Sequence, residues 1–379
     1  MGFVLSEEQT LLQETARQFF AEQLPIGVLR RLRDADDVRG YDEAAWKKMA
    51  ELGFAGILIP EAHGGSGFGP IGMGLIVQEA GRHLSPSPLY ASAVLGAGAL
   101  IACGSEAQKK TLLPQIASGA AIATLAVEES GHHRPAATAC RARKTADGFV
   151  LSGQKLFVPD GQNAQHILIL ARTDGEPGDE SGLSLFLVPQ AAKGLTVTPL
   201  AMVDARASAM LDCRDLALGK DALLGKLHQA LPALEPVLDL GRIILAAEML
   251  GGAEAVFEQT LAWLKERKQF DVPIGSFQAL QHRAAQLYCE IEICRSVVLD
   301  GLTAAEEKRK DMARAASLAK MRLSDASRHI TNEGVQMHGG VGMTDDMDLG
   351  LYLKRARVQA AMLGDANFHT SRYARLGGY

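Results

Sequence analysis

The sequence predicts an α+β protein of three consecutive blocks: an N-terminal helical domain over 1–120, a middle antiparallel β domain (barrel or sandwich) over 121–226, and a C-terminal four-helix bundle over 227–379. Three observations carry this. The chain has 379 residues, beyond the size at which one core keeps growing. Apolar positions recur at helical spacing before 121 and after 226, in segments rich in Ala, Leu, Glu and Arg. Between them the pattern turns to short alternating runs punctuated by Asp147-Gly148 and Asp160-Gly161.

The elements follow in order. Ser6-Glu7-Glu8-Gln9 reads as a capping residue with first-turn acids, opening a helix with Leu11, Leu12, Ala16, Phe19 and Phe20 on its apolar face. A second helix covers Asp42 to Leu52, and Ile57 to Gly67 is a Gly-rich loop, read as a connector before a ligand cradle. Helices are expected over Pro70 to Arg82 and Ser87 to Ala102, with another capped start at Ser105. Strands are expected at Ile122–Val127, Ala137–Thr145, Phe149–Leu156, His166–Ala171, Leu183–Pro189, Leu195–Pro199 and Met210–Leu216. Four long helices complete the chain, over His228–Lys268, Phe277–Lys308, Lys310–Met337 and Asp346–Leu376, long enough to pack against a second subunit.

Composition narrows the class. Apolar residues make up 47% and charged residues 22%, an ordinary globular balance, and a net charge of −5 gives no reason to expect nucleic acid or an anionic membrane as partner. The five cysteines, Cys103, Cys140, Cys213, Cys289 and Cys294, are scattered and form no C-x-x-C pairs, which fits a reducing cytoplasm and gives no zinc or other metal site. The run Met1 to Gln9 turns acidic too early for a signal peptide, and no uncharged run reaches membrane-spanning length.

One stretch points to chemistry. Helical pattern enters and leaves Arg267 to Gln281, yet Pro273 and Gly275 interrupt it, so two helices meet there at a break. Arg267 suits a phosphate, and Gln278 and Gln281 offer neutral donors and acceptors. From this stretch alone, a phosphate cradle and an ordinary helical hairpin remain equally open.

Three motifs in order resemble the acyl-CoA dehydrogenase family of flavoproteins. Arg267-Lys268-Gln269-Phe270 through Gln281 is similar to R-x-x-F-G-x-x-I-x-x-F-Q-x-x-Q, with Asp271 in place of the glycine. Gln336 to Gly342 is similar to Q-x-x-G-G-x-G. Ala50 to Phe54, Pro60-Glu61, Gly64-Gly65 and Ser105 to Lys109 complete the set. The resemblance implies FAD as cofactor, an acyl-CoA thioester oxidised to the 2,3-enoyl-CoA, an electron-transferring flavoprotein as acceptor, and a homo- or heterotetramer. It implies that Arg267, Phe270, Gln278, Gln336, Gly339 and Gly340 face a neighbouring subunit's FAD, and that Asp239 and Arg242 serve the CoA moiety.

The same comparison exposes departures. Ala126 to His133 stands where the family has V-T-E-P-x-A-G-S-D, placing Glu128 at the flavin-bonding Thr, and Phe157-Val158-Pro159-Asp160-Gly161 stands for W-I-T-N-G. Pro159 supplies no side-chain donor, and a carboxylate beside a flavin edge is repelled on reduction. Both positions that carry the family's Glu base are glycine here, Gly364 and Gly241. Asp365, one residue from the first, is the candidate substitute base or the N-cap of a terminal helix; His338 and His369 read as structural. Three functions are therefore carried forward. They are an acyl-CoA dehydrogenase or its catalytically incomplete partner subunit, a non-catalytic CoA- or protein-binding scaffold, and a relative acting on a non-thioester substrate through an Asp.

Overall fold

The computed structural model describes residues 5–379, so Met1 to Val4 of the N-terminal run lie outside the described residues. The helices in chain order are α1 (Glu7–Gln23), α2 (Ile26–Asp34), α3 (Glu43–Glu51), α4 (Pro70–Arg82), α5 (Ala97–Cys103), α6 (Glu106–Ala117), α7 (Ala230–Glu266), α8 (Gln278–Glu306), α9 (Met312–His338), α10 (Leu349–Ala361) and α11 (Ala366–Leu376). The strands are β1 (Ala123–Ala126), β2 (Arg141–Lys144), β3 (Gly148–Pro159), β4 (His166–Arg172), β5 (Leu183–Pro189), β6 (Leu195–Pro199), β7 (Ser208–Gly219), β8 (Leu223–Leu224) and the short pair β9 (Lys268–Gln269) and β10 (Val272–Pro273). The chain forms two compact units, one from 1–29, 70–85 and 242–379, the other from 30–69 and 86–241. Among the described residues no helix is long and apolar enough to cross a membrane.

In the first unit, Ser6 and Gln9 cap α1 reciprocally, as their spacing requires. Helices α4 and α7 touch backbone to backbone, because a Cβ on Gly81 would overlap the Glu248 carbonyl and one on Gly251 the Gln78 carbonyl. Charge beside this crossing is paired: Glu254 accepts from Arg82 at 3.2 Å and from Arg295 at 2.6 Å, and Glu248 accepts from Arg355 at 2.8 Å. The terminal helix expected over 346–376 is two helices. Leu363 and Gly364 adopt φ of +54° and +107°, which no helix continues through, and Asp365 restarts the chain as the N-cap of α11.

The second unit is built on an eight-stranded sheet of order β6-β7-β3-β2-β4-β5-β8, with β1 on β4. The expected all-antiparallel sheet is corrected here: β1 runs parallel to β4, and β2 meets β4 in a parallel bridge at Arg141 and Arg172. The β2 and β3 segments intervene in sequence, so β1 and β4 have the long connection a parallel pair needs. The interior is apolar along β4 and β5, where Ile167, Leu168, Ile169, Leu170, Leu185 and Phe186 are fully buried. The Gly-rich 57–67 loop bonds to itself, Ser66 N donating to Gly56 O at 3.1 Å and Gly67 N to Ile59 O at 2.9 Å, as a connector does. Arg172, almost fully buried, donates to the carbonyls of Ala136, Thr138, Asp174, Asp179 and Ser181 and so pins the loops at 134–140 and 174–182.

Candidate functional site

The break between α7 and α8 is a two-residue hairpin. Phe270 and Asp271 both have positive φ, +52° and +63°, the geometry of a mirror-image tight turn. Asp tolerates that region, so Asp271 fills the place of a glycine without breaking the turn. Ile274 N closes the hairpin on Arg267 O at 2.8 Å, and Gln281 spends its amide on Gly275 O at 2.9 Å. Gln281 is therefore a brace for the break, while Gln278 stays exposed.

A layered contact joins this hairpin to the end of α9. The Trp263 ring stacks on His338 at 5.1 Å and 19°, and the Arg267 guanidinium lies 5.8 Å from the Trp263 centroid. His338 bonds Gly334 O through Nδ1 at 2.7 Å, burial holds its pKa below the usual imidazole value, and its Nε2 is buried without a partner. It is structural, a plate between two motifs. Gly339, at φ +67°, follows directly, and nothing lies within 4 Å of a Cβ built on Gly339 or Gly340. The backbone itself requires the glycine at 339, while packing does not require the one at 340, and both leave bare backbone open to solvent. Arg267, Phe270, Gln278, Gln336, Gly339 and Gly340 are all exposed, Phe270 at 86%. The cation and the bare backbone that the Trp263–His338 stack links fit the phosphates of FAD.

The base region of the same unit is closed. The carbonyls of the α10–α11 connection are held from inside: Arg242 Nε donates to Leu363 O at 3.2 Å, His369 Nε2 bonds the same oxygen at 3.0 Å, and Lys320 Nζ donates to Ala360 O and Gly364 O, both at 3.0 Å. A side chain on Gly364 would meet the Phe368 ring and, at 2.8 Å, His369 Nε2. Asp365 is exposed, with Oδ1 accepting from Phe368 N at 2.8 Å. Arg242 is fully buried and 5.8 Å from the Phe368 ring, and Asp239 on α7 is 3% exposed; both sit inside the fold, where sequence reasoning had placed them against CoA. Sequence reasoning missed Lys320, which burial, reinforced by the Arg242 charge, pushes down to about 7 against a partial lift from Asp365. Its signal was a lysine on the apolar face of α9, between Ala319 and Leu323.

In the second unit the segments aligned with the flavin contacts are occupied by their own partners. Glu128 pairs with the Nδ1 of His133, which is 5% exposed. Thr124 Oγ1 donates to Pro159 O at 2.6 Å. Lys155, fully buried, donates to Val127 O at 3.1 Å and to Glu129 at 2.7 Å, and Glu129 also accepts from Ala139 N and Cys140 N. At the two aligned positions the side chains do not fit a flavin edge: the Glu128 carboxylate is committed to His133, and Pro159 has no side-chain donor.

Comparison with known proteins agrees with this architecture. The models of the acyl-CoA dehydrogenase N-terminal, middle and C-terminal domains match residues 6–120, 123–213 and 232–377. A Bacillus subtilis protein named as a probable acyl-CoA dehydrogenase, YngJ, is 32% identical over 94% of both chains. The mitochondrial short-chain specific acyl-CoA dehydrogenase of Bos taurus is 28% identical over 93% of this chain and 86% of its own. Among solved structures, a variant of the Tcur3481-Tcur3483 steroid ACAD is 33% identical with a TM-score of 0.87, covering 98% of both chains. Butyryl-CoA dehydrogenase from Megasphaera elsdenii, 24% identical, shares the fold at a TM-score of 0.91 over the whole of both chains. The chain belongs to the acyl-CoA dehydrogenase family, whose cofactor is FAD.

Proposed function

We propose that this chain is the catalytically incomplete subunit of a hetero-oligomeric, FAD-dependent acyl-CoA dehydrogenase, completing from its first unit the cofactor site of a partner chain that carries the Glu base. The observation that carries this reading is the closed base position. Gly364 has no room for a carboxylate, while Arg267, Phe270, Gln278, Gln336, Gly339 and Gly340 stand exposed and unused. FAD supplies the hydride acceptor for the β-hydrogen of an acyl-CoA. This chain's part is binding: Arg267 neutralises phosphate charge, the Gly339-Gly340 backbone approaches it closely, and Phe270 covers an apolar face. Asp239 and Arg242 act on acyl-CoA only indirectly, by fixing the helix and the 363–365 connection beside it. An electron-transferring flavoprotein takes the electrons from the assembled tetramer, in the cytoplasm.

A second reading keeps Asp365 as a base, on the observation that its carboxylate is exposed one residue from the family position with Oδ1 given to the helix cap. One preparation separates the two. Purified alone, the chain should hold little flavin and reduce no dye with acyl-CoA, and co-expression with a Glu-bearing paralogue encoded beside it should yield a yellow, active hetero-oligomer. A yellow homo-oligomer with full turnover, abolished by Asp365→Asn with flavin retained, would establish the second reading and sink the first.

A further inference from the structure

Helix α9 carries three buried hydroxyls over 324–331, and two of them bond the helix itself. Ser324 Oγ donates to Lys320 O at 2.7 Å, and Thr331 Oγ1 donates to Ser327 O at 2.8 Å. Ser327 lies between them, 2% exposed, and its Oγ is buried without a partner. A buried hydroxyl left so destabilises the fold, and one that is kept points to a partner that is not a side chain. Ser327 lines a cavity of about 10 Å³ within the first unit, between α4, α7, α9 and α10. Gln359 on α10 lines it with an amide that is 3% exposed, and Thr331 with a hydroxyl oxygen that can still accept. Glu248 and Arg355 complete its polar wall and are paired with each other at 2.8 Å. Gly252 gives the cavity its room. A Cβ built there would meet Gly81 O at 3.6 Å and Tyr352 Cδ1 at 3.7 Å, ordinary contacts with two residues of the lining.

Size, charge and polarity together select the occupant. A volume of about 10 Å³ lies at the lower end of the roughly 10–15 Å³ that one water takes, and leaves no room for a larger molecule. The carboxylate of Glu248 and the guanidinium of Arg355 cancel, so no unpaired charge is there to hold an ion. A dry cavity would strand the Ser327 hydroxyl and desolvate the Gln359 amide, whereas a water can donate to one and accept from the other. We propose that this cavity binds one internal water, hydrogen-bonded to Ser327 Oγ and the Gln359 amide, which ties α9 to α10. Gln359 directly precedes Ala360, whose carbonyl accepts from Lys320 Nζ at 3.0 Å. The water is thus a second link between the same two helices, placed just before the α10–α11 connection.

The test is a crystal structure of the full chain, as wild type and as Gly252→Ala, at a resolution that shows ordered water. Wild type should show one density peak within hydrogen-bond distance of both Ser327 Oγ and the Gln359 amide, and Gly252→Ala, whose methyl takes the room, should lack it. Melting curves give the same answer in solution. Gly252→Ala should raise the melting temperature of Ser327→Ala by about 2 °C more than that of wild type, because in wild type the methyl also strands the Ser327 hydroxyl. Three results would overturn the proposal: Ser327 Oγ turned onto Leu323 O with no peak beside it, xenon taken up at the same place under pressure, or equal melting shifts in the two backgrounds.

Discussion

The surface at Arg267 to Gly340 and the strand ends around Glu128 and Pro159 derive from matching parts of one family pattern, yet they meet solvent in opposite ways. The first leaves several polar side chains exposed. Its glycines have open space, its Phe270 is 86% exposed, and its Arg267 lies over Trp263. The second is closed on itself, with Glu128 on His133, Thr124 on Pro159 O, and Lys155 on Glu129. A polar group kept for a ligand is left unpaired at the cost of desolvation on binding, whereas a polar group with no ligand must be paired within the chain or it destabilises the fold. The difference between the two regions is therefore between a surface with polar groups open to solvent and one whose charged side chains are paired within the chain.

The largest test of that contrast is at Lys155. Lys155→Met strands Glu129 beside the β sheet and should cost about 3 kcal/mol in urea unfolding, the low end for a broken buried pair because two backbone N–H groups still hold Glu129. Adding Glu129→Gln should recover about 1 kcal/mol of it through their coupling. A cost near zero would mean that the strand ends are not self-satisfied. Next is pH. The folded-state pKa of Lys320, about 7, lies below its ordinary 10.5, so the unfolded chain binds the extra proton in that window and stability rises as pH increases. Wild type should gain on the order of 1 kcal/mol per pH unit between 7 and 9 relative to Lys320→Met, and parallel unfolding curves would contradict the burial of its charge.

A change of comparable size is expected at the open surface, but in binding alone. Arg267→Ala should weaken flavin retention by the assembled hetero-oligomer by about 2 kcal/mol, roughly thirtyfold, with the melting of the isolated chain unchanged. A shift in that melting temperature without a flavin effect would make Arg267 structural. The smallest effect is at Asp365: Asp365→Ala should cost about 1 kcal/mol by removing the α11 cap, and Asp365→Asn, which keeps an acceptor, a few tenths. Equal costs would show that the carboxylate does more than cap.

Where local chemistry sets the outcome, the sequence reading and the fold agree. Strands β5 and β6 carry the expected bounds because apolar alternation ends at Pro189 and Pro199, and α4 is bounded by Pro70 at its first turn. The hairpin at Phe270 was legible from Pro273 and Gly275. What was not legible depends on distant partners. The parallel β1–β4 pair and the burial of Lys320 each require knowing which segment lies opposite. The N-cap reading of Asp365 was the sequence's one signal for the split of the last helix, while the positive φ of the non-glycine Leu363 had none. Arg242 and Asp239 were placed on α7, but their burial depends on which segments pack over that helix.

Gly364 also limits what a substitution can place there: Phe368 and His369 occupy the space of a side chain, and φ of +107° sets the backbone. A carboxylate placed there alone would arrive strained and misdirected. Gly364→Glu alone is therefore expected to cost stability, and a base at this position calls for room made first at Phe368 or His369.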